Sequence, residues 1–145
     1  MARDVQRVGL VGCVKSKLKR SAPARDLYIS PLFQGRRRYV AQSCDRWFVL
    51  SAKHGLVDPD TVLEPYDETL KNASRSQRHQ WSEAVIRDLT LRLGAFRGVA
   101  FEIHAGNEYR AFGLAAGIKK LGGEITVPTE GLGLGQQLAF YRSRD

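Results

Sequence analysis

Apolar positions in this chain come in short bursts separated by polar, periodic stretches. The run Arg7-Val-Gly-Leu-Val-Gly12 ends at Cys13 and suits a buried first strand. Ser30-Pro31 has the form of an N-cap followed by proline at the first helical position, and predicts a helix through about Ser43. Trp47-Phe-Val-Leu-Ser51 is aromatic and β-branched, as a second strand should be. Ser74-Arg-Ser-Gln77 resembles a capping box, after which Trp81, Val85, Leu89 and Leu93 recur at helical spacing until Gly94. Val99 to Ile103 predicts a third strand, followed by one helix from about Glu108 to Leu121 that stops at Gly122-Gly123. Glu124 to Val127 then reads as a fourth strand and Gln136 to Arg142 as a closing helix. Strands alternating with helices predict a single α/β domain over residues 1–145, with a mostly parallel sheet of about four strands and helices on both faces. The stretch from Gly55 to Ala73 has weak periodicity and is long for a connection, which marks it as functional.

That layout tells where chemistry should gather. In an open parallel sheet, ligands bind outside the carboxyl ends of the strands. The first strand delivers Cys13, Lys15, Ser16 and Lys17 to that edge, and the second delivers Ser51, Lys53 and His54. The third brings His104 and Gly106, the fourth the run Gly131-Leu-Gly133-Leu-Gly135.

Composition narrows the picture. The 145 residues (16.2 kDa) are 43% hydrophobic and 26% charged, ordinary for a globular chain and too apolar for a disordered one. No apolar run approaches the ~20 residues that span a bilayer, so no membrane partner is expected. Arg3, Asp4, Gln6 and Arg7 break up the first residues, which argues against a secretory leader. Cys13 and Cys44 form neither a disulfide framework nor a zinc set, and a cytoplasmic setting is the expectation.

Charge changes the picture more. Residues 1–55 hold 12 Lys/Arg against 3 Asp/Glu, and residues 56–145 hold 11 against 12. A basic excess confined to one part of the chain points to a phosphate-bearing partner, a nucleic acid or a nucleotide. The competing reading is a solubilising surface.

Individual residues then acquire candidate roles. Lys15 and Lys17 can clamp phosphate or carboxylate, and a desolvated lysine amine can attack an electrophilic carbon. Cys13 is a buried hydrophobe unless neighbouring cations stabilise a thiolate, which would make it a nucleophile. His54, held neutral by nearby positive charge, suits a general base. His104 is either a core histidine or a site residue. Glycines at 131, 133 and 135 let backbone N–H groups approach an anion at a helix start, though the run is neither a Walker loop nor a dinucleotide fingerprint. Arg36, Arg37 and Arg38, with Arg25 upstream and Tyr39 and Phe33 interleaved, are candidates for nucleic-acid backbone contact. Tyr66 and Asp67 offer a phenol to stack on a base and a carboxylate to read its edge. Phe96, Phe101 and Phe140 are candidates for a subunit face, and a homo-oligomer or a partner protein is a further expectation. No metal-ligand spacing and no required cofactor is visible.

Cys13-Val-Lys-Ser-Lys17, Ala24 to Tyr28, Ser30 to Phe33, Leu50-Ser-Ala-Lys-His-Gly-Leu56, Glu64-Pro-Tyr-Asp67, His104-Ala-Gly106 and Gly131 to Leu138 together resemble one small bacterial and phage family of unknown function, over nearly the whole chain. More distantly, the Leu-Ser-x-x-x-Gly-Leu…Pro-Tyr pattern of residues 50–66 is similar to the YaaA peroxide-stress proteins and to the core domain of archaeosine synthase. The resemblance implies DNA binding in the first case and modification of a deazaguanine base in tRNA in the second. In archaeosine synthase a Cys-x-x-x-Lys motif supplies the lysine that attacks a nitrile, and Cys13 and Lys17 stand at that spacing. The Pro-Tyr and the later Ser and His that follow that lysine do not stand after Lys17, so the resemblance carries over a pocket more than a reaction.

Two readings follow. One is an enzyme acting on a nucleobase or nucleotide, by base-modifying transfer or N-glycosidic cleavage, with Lys17, His54, Asp67 and Cys13 as its chemistry. The other is a non-catalytic nucleic-acid-binding module related to a DNA stress response.

Overall fold

A computed structural model describes residues 5–13 and 17–143. Lys15 and Ser16, both expected at the site, lie outside the described residues.

The central sheet has five strands in the order β4-β3-β1-β6-β7. These are β1 (Gln6–Gly12), β3 (Arg46–Ser51), β4 (Gly55–Val57), β6 (Val99–His104) and β7 (Glu124–Thr126). β1 pairs in parallel with β3 and with β6, and β6 pairs in parallel with β7. Every residue of β1 from Val8 to Gly12 is buried, as expected of a central strand covered on both faces. A second, two-stranded ribbon joins β2 (Ala22–Pro23) to β5 (Val62–Leu63).

Helix α2 (Pro31–Ser43) starts as predicted, with the Ser30 hydroxyl accepting from the Phe33 N–H. It packs closely on β1, because a Cβ at Gly9 would lie 2.7 Å from the Val40 side chain. Helix α3 (Arg75–Leu93) carries the predicted capping box between Ser74 and Gln77. Helix α6 (Leu134–Arg142) packs beside α2, whereas α3 packs beside α5 (Leu114–Lys120). Alternate residues of β6 therefore meet different layers: Glu102 and His104 reach Ser43 and Tyr141, while Phe101 packs on Phe96 and against Gly123.

Four features depart from expectation. The sheet has five strands, because the long Gly55–Ala73 stretch contributes β4, antiparallel to β3, as well as β5 and a 3-10 turn at Leu70–Asn72. Three residues are too few for a readable alternation. The predicted helix 108–121 is two helices, α4 (Asn107–Arg110) and α5, since Gly113 adopts φ +119°, outside the right-handed helical region. The closing helix begins two residues earlier than Gln136. Phe96 and Phe101 are fully buried against one another at 5.1 Å between ring centroids, so they belong to the core and not to a subunit face. Phe140 packs at a tilt against Tyr39 and edge-on against Tyr141.

No helix among the described residues is long and apolar enough to cross a membrane.

Candidate active site

The strand order dictates where a crevice opens. From β1 the chain crosses to β3 on one side, and from β6 it crosses to β7 on the other. The reversal falls between β1 and β6, and connections leaving in opposite directions part above the strands' carboxyl ends. A cavity of about 740 Å³ lies there, within the size range of small-molecule sites. Cys13 enters it from the end of β1, and Gly106, Glu108 and Tyr109 from the segment after β6. Leu32 and Arg36 come from α2. Lys17 and the Asp67–Asn72 stretch complete the wall.

On its floor the Cys13 thiol lies 2.9 Å from the Tyr109 hydroxyl, in a buried hydrogen bond. Burial, reinforced by Cys13, raises the Tyr109 phenol above its ordinary range, so it stays protonated at neutral pH and able to donate. The Tyr109 ring is itself held edge-on by Trp81, whose indole N–H donates to the Ser51 carbonyl at 2.8 Å.

Beside this pair runs a chain of hydroxyls. Tyr28 and Tyr66 share a hydrogen bond, and the Tyr66 hydroxyl lies 2.7 Å from the Ser51 Oγ. Ser51 also accepts from the His54 backbone N–H at 3.0 Å. Burial pushes the Tyr28 phenol up to about 12 and Tyr66 higher still. The Lys17 ammonium sits 4.5 Å from the Tyr66 ring centroid and 5.7 Å from that of Tyr28, a cation–π arrangement that orients it at the cavity wall.

Arg36 is the most unusual member. It is 5% exposed, although its side chain carries a charge. Its Nη1 donates to the Gly12 carbonyl at 3.3 Å and its Nη2 to the Gln137 side chain at 3.5 Å, both long. The nearby Tyr141 side chain favours its charged form. No ion pair to a described carboxylate holds it, and its Nε is buried without a hydrogen-bond partner. Burial lowers its pKa, the expected direction for a guanidinium short of partners.

The structure thus brings together Cys13, Lys17, Arg36, Asp67 and Gly106 from the sequence-predicted set. It takes others elsewhere. Tyr66 is buried with its hydroxyl spent on Ser51 and Tyr28, so it supports Lys17 and offers no phenol to a ligand. His54 is exposed in the turn after β3, its ring edge-on to Tyr66 at 5.5 Å and off the cavity wall. Lys53 is exposed in the same turn.

His104 is fully buried, with Nδ1 2.7 Å from the Tyr141 hydroxyl and Nε2 3.3 Å from Glu102. Burial lowers its pKa against the pull of Glu102, and it faces the α2/α6 layer instead of the cavity. Gly131, Gly133 and Gly135 do not line the cavity either. Their turn is closed by its own bonds, Leu132 N–H to Thr129 O at 3.1 Å and Gly133 N–H to the Gln136 side chain at 2.9 Å.

The arginine run is not one surface. Arg36 points inward, Arg37 bonds Asp26 at 2.9 Å and the Arg25 carbonyl, and Arg25 pairs with Asp60 and Asp26. Of the run, only Arg38 is exposed. The signal for this was present: Phe33, Arg36 and Val40 fall at i, i+3 and i+7, on the buried stripe of the helix.

Glu108, Tyr109, Lys71 and Asn72 were not singled out from sequence. The first two immediately follow the third predicted strand end, where strand-end logic would place a ligand contact. Among the described residues no group of three or more His, Cys, Asp or Glu is placed to hold a metal ion.

Fold and cavity define an α/β protein with a potential ligand site at its topological switch point. The chain belongs to a family of unknown function, DUF6884, whose model matches residues 8–143. The "Uncharacterized protein YfjM" of Bacillus subtilis (strain 168) is 36% identical over 72 residues, covering 45% of this chain. The chain spans about half the length of that relative, 48% of it being covered. No solved structure matches significantly.

Proposed function

We propose that this protein is an enzyme acting on a nucleobase or nucleotide, free or within nucleic acid, by transfer to the base or cleavage of its N-glycosidic bond. The observation that carries the reading is the composition of the switch-point cavity. One crevice collects a lysine, a thiol paired with a protonated phenol, and carboxylates on opposite sequence segments, Asp67 and Glu108.

Both reactions need the same three functions: a group to attack or stabilise an electron-poor carbon, a carboxylate to take or share charge, and a proton donor for the departing atom. Lys17 fits the first, Glu108 or Asp67 the second, and Tyr109 the third. The resemblance of residues 13–17 and 50–66 to the base-modifying archaeosine synthase core and to the YaaA proteins supports the choice of a base over other substrates.

The binding-module reading draws on the positive charge of residues 1–55. It loses support because Arg36 is buried and Arg25 and Arg37 are engaged by Asp26 and Asp60.

The test is turnover on mononucleotides, single-stranded and duplex DNA, and tRNA, with products followed by mass spectrometry. Lys17→Ala and Glu108→Gln should each lower turnover by about 10²-fold or more while leaving the fold intact. Arg38→Ala should leave it unchanged. Tight polymer binding without any product, weakened by Arg38→Ala and indifferent to Lys17→Ala, would overturn the enzyme reading in favour of the module.

A further inference from the structure

We infer that Arg36 is the receptor for a single anionic group, a phosphate monoester or a carboxylate, at one end of the ligand that occupies the switch-point cavity. This rests on the reading of that cavity as a ligand site and specifies what it admits.

The argument starts from a buried charge. A guanidinium removed from water is strongly unfavourable unless paired, which is why buried arginines normally carry carboxylate partners. Arg36 is 5% exposed, makes only long bonds to a carbonyl and an amide oxygen, and leaves its buried Nε without a hydrogen-bond partner among the described residues. The fold contains a contrasting arrangement on β1, where even the half-exposed Arg7 is paired with Glu102. Arg36 lacks such a partner, yet it lines a cavity large enough for one to enter. A guanidinium offers paired N–H donors in a planar fork that matches carboxylate and phosphate oxygens.

The rest of the wall limits how much negative charge can enter. Among the described residues of the wall, Lys17, Arg36 and Lys71 are balanced by Asp67, Glu68 and Glu108. A polyphosphate or a nucleic-acid backbone would bring several negative charges against three carboxylates. One anionic group fits, with hydroxyl or amine donors of the same ligand facing the carboxylates. A nucleoside monophosphate has that composition and a triphosphate does not. The glycine loop, the sequence-level candidate for phosphate, is away from the cavity and does not compete with Arg36 for the anion.

Thermal melts of the full chain, with inorganic phosphate, acetate, adenosine and the adenosine mono- and triphosphates as probes, test the inference. Saturating monophosphate should raise the melting temperature by about 5 °C, and more than triphosphate or adenosine does. Phosphate and acetate alone should shift it in proportion to which anion the fork accepts, and so separate the two sources. Arg36→Met should melt at or above the unliganded wild type, because an unpaired charge is gone, and should lose at least 100-fold in affinity for the effective anion. Arg36→Lys, which keeps the charge without the fork, should retain part of the binding.

Equal binding of adenosine and its monophosphate, unaffected by Arg36→Met, would overturn the anion receptor and leave the nucleotide enzyme standing. A phosphate or acetate shift lost in Arg36→Met, with no gain from any nucleoside moiety, would keep the receptor and sink the nucleotide reading. An Arg36→Met protein that melts well below the wild type, with no anion shift in either protein or in Arg36→Lys, would show a structural arginine and overturn the inference.

Discussion

Two polar clusters lie near Tyr141, whose hydroxyl bonds His104 and whose electrostatic neighbours include Arg36. On one side Arg7, Glu102 and His104 form a closed set. Glu102 bonds Arg7 and His104, with Ser43 adding a long contact at 3.5 Å. On the other side Arg36, Cys13 and Tyr109 face a cavity, and Arg36 keeps an unpartnered nitrogen. Burial alone therefore does not separate a structural charge from a functional one. What separates them is whether the protein itself completes the set. Burial opposes the Glu102 carboxylate, yet its bonds from His104 and Arg7 hold its pKa below the usual range. At Arg36 burial outweighs the groups that favour its charge, Tyr141, Cys13 and Glu108 among them.

The contrast breaks if the closed cluster proves dispensable. Glu102→Leu should destabilise the protein by about 3 kcal/mol, since it strands His104 and the partly exposed Arg7 without their acceptor. Urea unfolding measures this, and a loss below about 1 kcal/mol would mean the cluster is no more committed to the fold than the cavity is.

A pH series sharpens it. His104 is held below its ordinary 6.5 in the folded state, so the unfolded chain binds a proton that the folded one resists. Stability is then full above about 6.5 and declines as pH falls below that value. His104→Gln should flatten the decline between pH 7 and 5 in thermal melts. An unchanged slope would assign the acid sensitivity to other groups.

The smallest effect belongs to the open side. Tyr109→Phe deletes one hydrogen bond to Cys13 and should lower stability by about 1 kcal/mol, while changing the rate at which Cys13 is alkylated. A rate identical to wild type would show that the pair is not chemically coupled.

Much of the framework was legible because it rests on local signals. The Ser30-Pro31 start, the Ser74–Gln77 box and the apolar cores of β1, β3 and β6 each follow from neighbouring residues. The helix break at Gly113 was not, since nothing in the spacing announces a φ of +119°. Strand-end logic found the crevice and placed Cys13, Lys17 and Gly106 at it. It misplaced His104 because an odd or even position along β6 decides which layer a side chain meets, and the last residue of a strand faces either. Arg36 was hidden by its neighbours: three arginines in a row read as one charged face, although helical geometry turns successive residues about 100° apart.

The pairing of β1 with β6 has a consequence in time. Gln6 is opposite Val99, so the central strand must wait for most of the chain to be synthesised before its second neighbour exists. Until then β3 is the only one of its two sheet neighbours that the chain contains. Cys13 and Tyr109, the floor of the cavity, are delivered by the two ends of that wait. A chain of which only the first half has been made carries one wall of the cavity, since Cys13, Leu32 and Arg36 precede that point while Gly106, Glu108 and Tyr109 follow it.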